Sequence, residues 1–306
     1  MTVIECGNLT KSYRKKVAID NVTLRLDCDK MIGLIGRNGA GKTTLLKLIA
    51  GYHQKTSGEL KVFSENPVNN VKVANNLIFV DDQMEFPASL NLYEILQAAS
   101  IFYPQWDMKL AKRLADYFSL SATRYHNELS KGMRSTFNMI IGIASRCPLT
   151  IFDEPTTGMD AGVRQDFYRA LLKDYIAHPR TIILSSHLLN EMEDLLEEIV
   201  LLKQGSLCLH MTVEELQQYA VALAGGRREI ERVVGELVVQ DDNTVYRQEF
   251  YGENTMKIVV RNTFSEKQYE DFKARGIDVA PVSANDICLY LTDKQKGGID
   301  RVFDRE

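Results

Sequence analysis

The sequence is short of the features that announce a disulfide framework, a structural metal centre or a membrane span. Its five cysteines (Cys6, Cys28, Cys147, Cys208, Cys288) are scattered, odd in number and form no C-x-x-C pair. That pattern argues for a reducing compartment. No run approaches the roughly 20 apolar residues that cross a bilayer. The opening "MTVIECGNLTKSY" has no apolar stretch behind a basic start. The expectation is a cytosolic chain, or one held at a membrane through a partner. Neither charge sign dominates, since the net charge is -4 over 306 residues. There is therefore no general electrostatic case for nucleic acid or an anionic membrane. Internal repeats and low-complexity segments are also absent.

What is present is an ordinary globular composition, 45% hydrophobic and 25% charged, able to bury a full core. Short β-rich apolar runs recur at 22–26, 31–36, 77–80, 149–152, 181–186 and 198–203. Helical patterns stand at 42–50, 91–101, 108–118, 131–146, 160–176 and 188–196. Apolar runs bounded by loops and followed by helices describe a buried, mostly parallel sheet. The character changes after "LLKQGSLCLH". A capping box, Thr212 to Glu215, opens a helix expected to reach residue 224, with Gly225-Gly226 ending it. Strands are expected near 233–239, 244–250 and 256–261, separated by "QDDN" and "YGEN" turns. A helix (265–275), a strand (277–282) and a short helix from Ser283 complete the reading. Residues 1–211 read as one domain and 212–306 as a small α+β appendage.

The strongest signal is Gly36-Arg37-Asn38-Gly39-Ala40-Gly41-Lys42-Thr43, followed by Thr44. It fits the phosphate-binding pattern G-x-x-x-x-G-K-[ST] directly after a strand and at the start of a helix. Its glycines let successive backbone N–H groups turn toward phosphate at a helix N-terminus. Lys42 then reaches the outer phosphates and the Thr43 hydroxyl is placed for Mg²⁺. A glycine turn with a chance lysine would not need that context. A second signal, "LTIFDEP", ends a buried strand in Asp153 and Glu154. Asp153 suits a Mg²⁺ ligand at a strand end, and Glu154 suits polarisation of an attacking water. A lone "DE" would be read as solvated charge. Following a P-loop, the pair reads as chemistry. Ser130 in "LSKGMRS" reads as an N-cap with the positive end of the helix dipole available to an anion.

"GRNGAGKTT", "LSKGM", "LTIFDEPTTGMD" and "LSSH" occur in that order, with 88 residues from Lys42 to Ser130, 23 from Ser130 to Asp153 and 33 from Glu154 to His187. In motifs and spacing, residues 2–211 resemble the ATPase subunits of ABC transporters. The resemblance implies an α/β P-loop NTPase core with a mixed or parallel sheet and a helical signature subdomain at about 88–146. It implies ATP and Mg²⁺ as cofactors. It places an adenine-stacking ring at Tyr13, a phosphate-sensing histidine at His187 and a loop linking two sites at Asp160. The signature Ser130, Lys131, Gly132 and Met133 is expected to face the ATP of a second, identical or paralogous ATPase subunit. Lys131 and Met133 stand where Gly and Gln are common in the family. A glutamine reaching Mg²⁺ and water is usual after the strand "LIFV". Ungapped alignment puts Asp82 there, and a one-residue shift selects Gln83, the choice favoured here.

The family also implies a multi-spanning permease docked near 81–106, with Phe86, Tyr93, Phe102, Tyr103 and the single Trp106 as contact candidates. The chain would then sit at the cytoplasmic face of the cell membrane, and export of a drug, peptide or lipid-linked substrate is the subgroup expected. A non-transport ABC-type switch and a P-loop phosphotransferase are the rival readings. The segment "PVSANDICLYLT" resembles a C-terminal segment of exporter ATPases, and a dimerisation role for 212–306 is one option.

Overall fold

The computed structural model describes residues 1–14, 16–238, 245–251 and 254–292. It divides into two compact units, Met1–His210 and Met211–Glu306. In the first, β1 (Thr2–Tyr13), β2 (Lys16–Asp27), β3 (Met31–Ile35), α1 (Lys42–Ile49) and β4 (Ser57–Val62) come in order. Then follow α2 (Val71–Ala74), β5 (Leu77–Val80), α3 (Leu92–Phe102), α4 (Met108–Tyr117) and α5 (Lys131–Ser145). The unit continues with β6 (Leu149–Asp153), α6 (Ala161–Ala177), β7 (Thr181–Ser186), β8 (Glu198–Lys203) and β9 (Ser206–Thr212).

Strands β3, β6 and β7 are buried at every residue, which explains why they are apolar-rich without a polar alternation. They lie in a six-stranded sheet of order β5-β6-β7-β3-β8-β9. Here β3 pairs in parallel with β7 and β8, and β6 with β5 and β7. Consequently the C-terminal ends of β6, β7 and β3 lie side by side, where an open α/β sheet gathers its ligand-binding loops. A second, antiparallel sheet, β2-β1-β4, was not foreseen. Of its strands only 22–26, within β2, is expected from sequence; elsewhere register shifts and positive φ at Asn8 and Asn21 interrupt the alternation. Leu9 and Ile19 from this sheet share one core with Leu45, Ile32 and Leu149.

Helices α3, α4 and α5 form the expected helical region, each capped from sequence. Asn91 and Glu94 make a capping box, Asp107 accepts from Leu110 N–H, and Ser130 accepts from Met133 N–H. A buried charge cluster ties this region to the core. Asp174 of α6 stands 3.0 Å from Arg146 at the end of α5 and 2.9 Å from Arg180 just before β7. Arg146 also reaches Asp107, the α4 cap, at 3.1 Å. Removing the shared anion leaves the buried Arg180 guanidinium without a carboxylate partner, while Arg146 keeps only Asp107. Asp174→Ala is therefore expected to lower unfolding free energy by about 3–5 kcal/mol, read by chemical denaturation.

Three expectations fail. The stretch 188–196 is not one helix but two 3₁₀ turns, Leu189–Glu191 and Glu193–Leu195. Buried Leu189, Met192 and Leu196 fit a three-residue turn as well as an α-turn, and Met192 at φ -137° breaks the run. The helix expected over 212–224 stops early, as α7 (Val213–Gln217), and "AVALAGG" becomes β10 (Ala220–Gly226). The supposed strand 233–239 falls largely on α8 (Arg227–Val238). Its Ile230 and Val233 share a buried face, while Arg227–Glu231 and Arg232–Glu229 pairs line the outside.

The rest of the second unit is β11 (Val245–Tyr251), β12 (Thr255–Arg261), α9 (Glu266–Ala274), β13 (Asp278–Pro281) and α10 (Ala284–Thr292). Its antiparallel sheet runs β11-β12-β10-β13 over a core of Leu223, Ile230, Ile258 and Phe272. The "QDDN" turn and the middle of "YGEN" lie outside the described residues. Among the described residues, no helix is long and apolar enough to cross a membrane.

Candidate functional site

The P-loop joins β3 to α1, and its glycines are there for space and sign of φ. A Cβ on Gly36 would stand 2.7 Å from the Leu202 carbonyl oxygen. Gly41 has φ 108°, and a Cβ there would stand 2.6 Å from the Ala18 carbonyl oxygen. Neither position admits an L side chain without moving backbone. A cavity of about 240 Å³ opens over this turn, lined by Lys16, Ala18, Asn38, Gly39, Ala40, Gly41, Lys42, Thr43, Thr44 and Glu154. Such a cradle at a helix N-terminus is a fit site for phosphate. A larger cavity, about 460 Å³, lies between α6 and residues 190–195. It contains neither P-loop nor strand-end carboxylate, so the smaller one carries the chemistry.

Lys42 is buried, donates to the Gly36 carbonyl at 2.7 Å and stands 3.1 Å from Glu154 Oε1. The latter is a charge contact without hydrogen-bond alignment. His187 Nδ1 lies 3.1 Å from the other carboxylate oxygen of Glu154. Lys42 at the start of α1 and Glu154 and His187 just past the ends of β6 and β7 thus form one connected row. Glu154 itself is held at φ 47°. Its N–H donates to Ser185 Oγ at 2.9 Å, and Ser185 donates to Asp153 Oδ1 at 2.5 Å. Ser185, within the quoted "LSSH", was given no role from sequence. Its register opposite Asp153 exists only once β6 and β7 pair.

Mg²⁺ takes oxygen ligands and few of them from protein when phosphates supply others. The Thr43 hydroxyl and the Asp153 carboxylate fit that demand. Among the described residues, no three or more His, Cys, Asp or Glu side chains gather into a metal cage.

Gln83 is exposed, and its backbone N–H donates to Asp81 Oδ1 at 3.1 Å. The Asp82 carboxylate stands 3.7 Å from Lys131 Nζ. Asp81 opens this loop beside Lys47 of α1. Burial pushes its carboxyl above the usual range and Asp153 adds to that, while Lys47 at 3.7 Å opposes it. Lys16 and Ala18 in the cavity lining were also missed.

The signature turn is built separately. Ser130 is exposed and caps α5, and Lys131 is exposed beside it. Gly132 packs so closely that a Cβ would stand 2.5 Å from the Gly158 carbonyl oxygen. Met133 Sδ lies 3.8 Å from Arg124 Nη1. Asp160 caps α6 through Val163 N–H at 2.9 Å. None of Ser130, Lys131, Gly132, Met133, Asp160 or Tyr13 lines the P-loop cavity. Tyr13 is exposed, with Lys11 Nζ 4.8 Å over its ring and His53 at its edge. Of the docking candidates, Phe102 is 72% exposed, whereas Phe86 packs inward on His126 and Phe137. Tyr103 stacks on Trp106, and Lys112 lies over Tyr93.

A family model described as ABC transporter matches residues 19–157. The ABC transporter ATP-binding protein YtrB of Bacillus subtilis is 28% identical over 216 residues, covering 71% of this chain and 74% of its own. The bacitracin transport ATP-binding protein BcrA of Enterococcus faecalis is 27% identical over 219 residues, covering 71% of each. In three dimensions the chain is similar to an ATP-binding subunit of an ABC transporter, with TM-score 0.63 and 24% identity. That likeness covers 78% of this chain and 99% of the other and concerns the fold.

Proposed function

We propose, for a chain that belongs to the ATP-binding subunits of ABC transporters, that two ATPase subunits dimerise head-to-tail around two ATP to drive export through a separate transmembrane subunit. The carrying observation is that the P-loop cavity includes Glu154 but no residue of the signature turn. A second chain, turned head-to-tail, supplies Ser130, Lys131, Gly132 and Met133 to the open side of that cavity. ATP favours the closed pair because only that state offers both sets of contacts. Hydrolysis removes the differential affinity and lets the pair open.

Within each site the backbone of Gly36 to Thr44 holds phosphate and Lys42 neutralises it. Phosphate competing for the Lys42 ammonium frees Glu154 to accept a proton from water. His187 steadies Glu154 through the 3.1 Å contact. Thr43 and Asp153, with Gln83 as a further ligand, would hold Mg²⁺, which when bound neutralises phosphate charge. Tyr13 offers adenine the ring face that Lys11 does not cover. Asp160 lies on the loop between Glu154 and α6, where it meets the opposite chain.

The substrate class proposed is a drug, peptide or lipid-like molecule, supported by a relative named for bacitracin transport. Exposed Ile101 and Phe102 at the end of α3 form the surface for the membrane subunit at the cytoplasmic face of the membrane. The full chain is expected to co-purify from native membranes with a multi-spanning protein. Phe102→Asp is expected to release it while leaving ATP hydrolysis intact. A chain that stays in the soluble fraction of its native cells, with no multi-spanning companion, would contradict the transport reading.

A further inference from the structure

The loop after β5 is tied to α5 by a polar relay that the proposed reaction does not use. Asn138, two turns into α5, is 2% exposed. Its Nδ2 donates to the Asp81 carbonyl at 3.1 Å, and its Oδ1 lies 2.9 Å from His126 Nε2. A carbonyl only accepts, so the amide orientation is fixed and Nε2 of His126 carries the proton. The imidazole is clamped by the edge of Phe86 at 4.9 Å and by Phe137 at 5.8 Å. Burial also pushes the His126 pKa below its ordinary value.

Both ends of the 81–86 loop therefore converge on one pair of side chains: the Asp81 carbonyl on Asn138 and the Phe86 ring on His126. Between these anchors Asp82 faces Lys131 of the signature turn at 3.7 Å. On its other side the Asp81 carboxylate reaches Lys47 of α1, one turn beyond the P-loop lysine, at 3.7 Å. The loop thus bridges the P-loop helix and the signature helix. An apolar pair would fill the same space without the desolvation cost of an amide and an imidazole. What a fully satisfied polar network adds is a single geometry.

We propose that His126 and Asn138 are positioning residues for ATP hydrolysis: they fix the loop bearing Asp81, Asp82 and Gln83 against the start of α5, and so set turnover without setting ATP affinity. The proposal rests on the hydrolytic reading of the P-loop site and adds to it two residues that do not line the P-loop cavity. Misplacement of a reacting group by about 1 Å costs on the order of 100-fold in rate. Loss of either anchor is expected to fall at or somewhat below that figure.

The test compares the full-length wild type with Asn138→Ala, His126→Leu and His126→Gln. Phosphate release is measured at saturating ATP, and ATP affinity by displacement of a fluorescent nucleotide. Asn138→Ala and His126→Leu are expected to lose roughly 10- to 100-fold in kcat with ATP Kd within about twofold of wild type. Gln carries an N–H donor at the reach of Nε2, so His126→Gln is expected to keep at least a third of the wild-type rate. Should Asn138→Ala fail to fold, the His126 pair carries the comparison alone. An active wild type with unaltered variants would overturn the proposal alone. So would equal loss in His126→Gln and His126→Leu, or kcat and affinity falling together. A wild type that hydrolyses no ATP would overturn the functional reading and this inference with it.

Discussion

Glu154→Gln is expected to lower ATP turnover by about 10²- to 10⁴-fold, the range for loss of a positioned general base. The amide keeps the shape of the carboxylate, and the backbone at φ 47° stays pinned through Ser185. What disappears is basicity, together with the negative charge that Lys42 and His187 contact in the chain alone. Lys42 is then freer for phosphate, so ATP affinity is expected to hold or rise. The variant should accumulate as an ATP-bound pair of chains. Phosphate release at saturating ATP checks the first expectation and light scattering with and without ATP the second. A variant that turns over at the wild-type rate would remove Glu154 from the chemistry.

Ser130→Arg is expected to abolish ATP-dependent association while leaving ATP binding by the single chain within about twofold. Ser130 caps α5 from an exposed position and lines no part of the P-loop cavity. Loss of the cap costs about 1 kcal/mol, and a cation at the helix N-terminus adds about 0.3–1 kcal/mol. Those terms shift folding slightly. On the proposed head-to-tail pairing, an arginine here would fill the space of the opposite chain's ATP, so association is expected to be lost outright. Ser130→Ala separates the two effects, since it removes the cap without obstructing the contact. Sedimentation of each variant with ATP reads the difference, and dimers of Ser130→Arg at wild-type strength would dismiss the cross-chain role.

The sheet and its strand ends are legible in sequence because β3, β6 and β7 are buried on both faces. Such strands read as apolar-rich runs, broken only by small or hydroxyl residues, that end at Gly36, Asp153 and His187. Contacts between distant strands are not legible. Ser185 matters because β6 and β7 are neighbours, and His126 and Asn138 because the 81–86 loop crosses α5. Neither adjacency leaves a local pattern. The second unit misleads for a different reason. "AVALAGG" is too short and uniform for periodicity to decide, and its central place between β12 and β13 makes it a strand. In "RREIERVVGELV" the valines suggest a strand, yet one apolar face and two flanking ion pairs hold a helix.

The central claim, that each ATP site is shared between two chains, is tested most directly by mixing two variants in a Glu154→Gln background. One carries Lys42→Ala and lacks the P-loop cation. The other carries Ser130→Arg and lacks a usable signature turn. Light scattering and bound-nucleotide analysis of each alone and of the equimolar mixture give the answer. Neither variant alone should dimerise with ATP. The mixture should form pairs holding one ATP, because one site then combines Lys42 from one chain with Ser130 from the other. A mixture as inert as its parts, or ATP-driven dimers of either variant alone, would contradict the shared site.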